Sequence, residues 1–172
     1  MAPNFRFTPE EFQEQFVEVV REAAAALFST VDDRLRPVAD PALSPDIDSA
    51  GVVGFVGPDI RGMFSVAMAG EEFESLSSED HQDWVGELAN QLAGRVKNRL
   101  GRMGITYDVA PPATLRGQAL TVATRDTLIQ ITFRHPSAAC IVQAVVKVER
   151  PLELAGEDDG QHRLEEGDLL LF

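Results

Sequence analysis

The chain has 172 residues, with 28 acidic against 15 basic side chains for a net charge of −13, and it is 44% hydrophobic and 25% charged. That balance excludes a largely disordered chain, makes one domain the expectation at this length, and argues against nucleic acid or an anionic membrane as partner. No apolar run approaches the roughly 18–20 residues of a membrane span. The N-terminal stretch lacks the basic and apolar regions of a secretory signal, and the single Cys140 cannot form an internal disulfide, so a cytoplasmic location is expected.

In chain order, the first predicted element is a helix over residues 8–29. Thr8-Pro9-Glu10-Glu11 reads as a capping box with proline at the first helical position. Phe12, Phe16, Val19, Val20, Ala23 and Leu27 then fall on one face. Residues 32–50 hold three prolines and five aspartates without a period and read as an irregular connection. Val52–Val56 is a short apolar strand, and Pro58-Asp59 marks a turn. Phe64, Val66 and Met68 alternate with neighbours of the other face, as in a second strand. Residues 71–76 read as a short helix.

A second long helix is predicted over residues 79–101, with Ser77 and Ser78 as N-cap candidates and Gly101 or Gly104 at its end. Strands follow at 106–109, 120–123, 128–133 and 138–148, with turns at Arg125-Asp126 and Pro136-Ser137. Residues 149–172 carry eight acidic and two basic residues. The division expected is therefore a domain over 1–150 and an acidic tail, or an appended strand, over 151–172. The order helix, strands, helix, strands points to a weak internal duplication.

The second helix carries the informative pattern. Val85, Leu88, Ala89, Leu92, Val96 and Leu100 gather on one side at about 100° per residue. Asp83, Glu87, Asn90 and Gly94 form a stripe centred roughly 160° away, which places an acid and a carboxamide one turn apart on the outer face. A polar face is common to every amphipathic helix. Asn, however, is a weak helix former, and Gly86 and Gly94 each cost about 1 kcal/mol relative to Ala. Stability alone does not account for three such residues around an exposed Glu.

Asp83-x3-Glu87-x2-Asn90, within the longer GELANQLAGRVKNRL, resembles the active helix of the CheX/CheC/FliY chemotaxis phosphatases. The surroundings are similar as well: LFSTV closing the first helix, GFVGPDIRGMFSVAM before the active helix, and Pro111-Pro112 with Gly117 after it. The first helix, EQFVEVVREAAAAL, holds no second Glu-x-x-Asn pair, which resembles CheX more than CheC. Gln91 stands where the family has an apolar residue. The resemblance implies a single α+β (α/β) domain, with a long, mostly antiparallel sheet and two long helices packed on one face. It also implies a homodimer joined through sheet edges.

For function, the resemblance implies hydrolysis of the aspartyl phosphate on a phosphorylated CheY-type receiver domain. Asn90 would position the attacking water and Glu87 would pair with the receiver's lysine; Asp83, Trp84 and Gly94 would contact the partner. No intrinsic cofactor is implied, and Mg²⁺ belongs to the receiver. The residues themselves show no metal-ligand spacing: His81, His135 and His162 are scattered. No Walker loop, dinucleotide fingerprint or nucleophile elbow is present. Cys140 reads as a core thiol. The rival readings are a non-catalytic receiver-binding or scaffold module on the same fold, and an interaction domain that docks a partner through its tail.

Overall fold

The computed structural model describes residues 5–31, 35–38, 49–69, 78–117, 124–135, 138–149 and 152–154. Two long helices, α1 (Pro9–Val31) and α2 (Ser78–Arg102), pack on a seven-stranded antiparallel sheet, an α+β architecture. The strands are β1 (Phe5–Phe7), β2 (Arg36–Val38), β3 (Ser49–Val56), β4 (Ile60–Ala69), β5 (Asp108–Val109), β6 (Ala113–Arg116), β7 (Thr127–His135), β8 (Ala138–Val148) and β9 (Leu152–Leu154). The main sheet runs β2-β7-β8-β4-β3-β5, with β6 also on β3, and β1 pairs with β9 in a separate two-stranded ribbon.

Local chemistry explains the helix ends. The Thr8 hydroxyl accepts from Glu11 N–H at 3.2 Å, and Glu11 Oε2 accepts from Thr8 N–H at 2.8 Å, the reciprocal pair of a capping box. At the far end of α2, Gly104 adopts φ 81°. Ile105 N–H donates to the Leu100 carbonyl and Gly104 N–H to that of Gly101, each at 3.0 Å, which satisfies two otherwise orphaned carbonyls. Gly104, rather than Gly101, therefore ends the helix.

The sheet is built from two hairpins, β3–β4 and β7–β8, that meet along the β4–β8 pairing, where Phe64 lies opposite Ala144. Each hairpin follows one helix. The short strand after α1, β2, caps the hairpin that follows α2, and β6 after α2 pairs with the hairpin that follows α1. This exchange is the structural form of the duplication expected from the element order.

The face toward the helices carries Val53, Phe55, Phe64, Val66, Ile131, Phe133, Val142 and Ala144. Against them α1 buries Phe12, Phe16, Val19, Val20, Ala23, Leu27 and also Ala24 and Phe28. Phe28 meets Phe133 with ring centroids 4.8 Å apart, and Phe16 stacks on Phe64 at 6.2 Å. The other face holds a small buried cluster of Ala50, Ala67 and Ile141. Cys140 is fully buried in β8 within the main core.

Several elements differ from expectation. Residues 36–38 form β2 inside the stretch read as irregular, because pairing with β7 supplies the order that local composition withholds. The strand expected over 106–109 shrinks to Asp108–Val109, and β6 had no period-2 signal in its four residues. The helix at 71–76, the strand at 120–123, the Pro136-Ser137 turn and residues 155–172 lie outside the described residues.

Candidate functional site on the second helix

Helix α2 is held at close range by its neighbours. A Cβ on Gly51 of β3 would stand 2.0 Å from the Val85 carbonyl oxygen, so the helix backbone rests directly on the strand there. Beside it, Gly86 is buried, and a Cβ would meet Thr114 Oγ1 of β6 at 3.3 Å. The same Thr114 hydroxyl donates to the Gln82 carbonyl at 3.1 Å, tying the first turns of α2 to the sheet edge. Farther along, Tyr107 is buried under the helix and its hydroxyl donates to the Ala93 carbonyl at 3.4 Å. Burial pushes the Tyr107 pKa up, so this group remains a neutral donor.

With the apolar side of α2 buried from Val85 to Leu100, the opposite side faces outward. Asp83, Glu87, Asn90 and Gln91 are all exposed. Glu87 and Asn90 stand three residues apart on that face, the spacing at which helix side chains are neighbours. Gln91 Nε2 donates to Glu87 Oε1 at 2.9 Å, a contact that the helical spacing allows but sequence pattern did not single out. Gly94 is half-buried, and a Cβ there would meet nothing within 4 Å. The two mid-helix glycines thus have different origins: Gly86 leaves room for Thr114, whereas Gly94 opens a gap beside Asn90 that no part of the described chain fills. Trp84 is half-buried and packs against the core at the flank of the stripe.

His81 sits in the first turn, half-buried, with Nδ1 3.5 Å from Ser49 Oγ. Burial lowers its pKa below the ordinary histidine value. Among the described residues no group of three or more His, Cys, Asp or Glu side chains is placed to hold a metal ion. No described helix is long and apolar enough to cross a membrane. An exposed carboxamide beside an exposed carboxylate, on a rigidly seated helix, can donate to and accept from a water while presenting a negative charge to a cation.

The fold places the chain in a class of solved structures. CheX from Vibrio vulnificus is 21% identical with a TM-score of 0.66, the match covering 77% of this chain and 96% of that one. A CheC-like superfamily protein from Shewanella sp. PV-4 is 24% identical with a TM-score of 0.66, over 77% and 97% of the two chains. A chain of the CheX–CheY–BeF3–Mg²⁺ complex from Borrelia burgdorferi is 18% identical with a TM-score of 0.63, again over 77% and 97%. These likenesses establish a CheC-like fold. No curated protein matches the sequence. The family model described as chemotaxis phosphatase CheX matches residues 48–134, just over half of the chain and the segment that contains β3, β4 and α2. The chain belongs to this CheX family of chemotaxis phosphatases.

Proposed function

We propose that the protein is a hydrolase acting on the aspartyl phosphate of a CheY-type receiver domain. Family membership supports the class of reaction. The complex that the Borrelia burgdorferi CheX forms with CheY supports the class of partner. The observation that carries the residue assignment is the joint exposure of Glu87 and Asn90 on the outer face of α2.

Phosphoryl transfer asks little covalent chemistry of a protein; placement of the attacking water and charge stabilisation supply most of the effect. The Asn90 carboxamide holds the water in line with the phosphorus. Water oxygen bonds to phosphorus, the bond from phosphorus to the aspartyl oxygen breaks, the carboxylate leaves, and the water's protons go to inorganic phosphate and solvent. Asn90 does this without changing its own protonation. Glu87 pairs with the receiver's lysine and sets the helix over the phosphate. Asp83, the exposed edge of Trp84 and the gap at Gly94 complete the contact surface. Mg²⁺ is the receiver's own ion, and the protein supplies no cofactor. We place the reaction in the cytoplasm and the protein in a homodimer joined at sheet edges.

The test is phosphate loss from a phosphorylated CheY-type receiver with wild type, Asn90→Ala and Glu87→Ala. Wild type accelerates the decay. Loss of the water-positioning group removes about 10²–10³ of that acceleration, the magnitude seen when one positioning donor is deleted from an active site. Glu87→Ala raises KM more than it lowers kcat. Receiver decay that wild type leaves unchanged would sink the catalytic reading; tight binding without faster decay would leave a receiver-binding module in its place.

A further inference from the structure

We propose that Gln91 is a positioning residue for Glu87, its amide holding the carboxylate in the arrangement that meets the receiver. The inference rests on Glu87 being the docking acid. Gln91 follows Asn90 directly and is one turn past Glu87, at a position where the family resemblance has an apolar side chain. Its Nε2 donates to Glu87 Oε1 at 2.9 Å, and both residues are exposed. An exposed glutamate on a helix samples several rotamers, and ordering it on association opposes binding. A hydrogen bond already made in the free protein removes part of that cost.

The choice of donor matters. A carboxylate offers about four lone-pair sites, so one amide donor leaves room for an incoming ammonium. An uncharged amide orients Glu87 without neutralising it. A lysine at the same place would be a rival cation for the receiver's lysine. A Gln–acid pair at this spacing is a weak interaction, so its removal changes affinity by about 1.4- to 2.3-fold.

The experiment is a double-mutant cycle in the full chain, titrated with a CheY-type receiver domain activated by beryllofluoride and Mg²⁺. Gln91→Met keeps side-chain length and helix propensity while removing the donor. Circular dichroism verifies that each variant is folded. Gln91→Met is expected to raise Kd about 1.4- to 2.3-fold, and to raise KM for the phosphorylated receiver in proportion while kcat moves less. In a Glu87→Ala background, which has no acceptor at this position, the same substitution has no further effect. Equal weakening in both backgrounds would mean that Gln91 touches the receiver on its own account, and would overturn the proposal. Affinity equal to or above wild type in Gln91→Met would also overturn it. If Glu87→Ala weakens binding while Gln91→Met is silent, the positioning role fails and the functional reading stands. Failure of wild type to bind the activated receiver would defeat both.

Discussion

Asn90 and His81 share one helix, and burial separates their chemistry. Asn90 is exposed and uncharged, suited to bind water at any working pH. His81 is half-buried near Ser49, and desolvation lowers its pKa from the ordinary 6.5. The folded state therefore favours the neutral ring more than the unfolded chain does. The stabilisation is fully present above pH 6.5 and declines as pH falls below that value toward the folded pKa. Urea unfolding at pH 7.5 and at pH 5.5 should show a greater loss on acidification for wild type than for His81→Gln. An identical loss in both proteins would remove His81 from the account. At this scale the sequence made Glu87 and Asn90 legible, because helical periodicity assigns a face without knowledge of any other element. It marked Gln91 only as a departure from the resemblance and not as a partner of Glu87, because that bond depends on side-chain direction within the face.

Glycines in and beneath α2 show how an element comes to be seated. Gly51→Ala would drive a methyl group to 2.0 Å from a backbone carbonyl oxygen, an atom that yields only if the helix moves. Destabilisation of about 1–3 kcal/mol is expected, the range for overpacked interiors, measured by thermal or urea unfolding. Gly94→Ala meets no such obstacle and should stabilise the protein by about 1 kcal/mol through helix propensity. The same variant should bind the activated receiver more weakly, because its methyl group occupies the gap beside Asn90. Unchanged affinity would show that the gap has no part in docking. Helical periodicity placed Gly94 on the outer stripe but gave no reason for Gly86. The position of Thr114 on β6 supplies that reason. Element ends were more legible: the Thr8–Glu11 capping pair and Gly104 act within a few residues of chain, so their chemistry is local.

At the scale of the whole sheet, two hairpins joined at β4 and β8 leave edges, among the described residues, at β2 on one side and at β5 and β6 on the other. Arg36 and Pro37 are exposed on β2, and Pro111 and Pro112 precede β6, devices that discourage uncontrolled strand addition. The proposed homodimer would cover one such edge. Sedimentation equilibrium should return twice the 18.8 kDa chain mass at micromolar concentration. A monomer across that range would remove the dimer. It would leave the Glu87–Asn90 surface intact, because both residues lie on a single chain.

The sequence by itself determined the two helices, their buried faces, the β3–β4 and β7–β8 strands and the outward stripe of α2. Each of these depends on periodicity or capping, which act over a turn or a strand's length. Tertiary structure decided the rest. Strands β1, β2, β6 and β9 are short, and their partners lie far away in sequence: β2 with β7, β6 with β3, and β1 with β9. Three or four residues hold too little local preference to specify a strand, so a partner's hydrogen bonds must supply the order. The close seat of α2 on Gly51 likewise required atoms brought together in space.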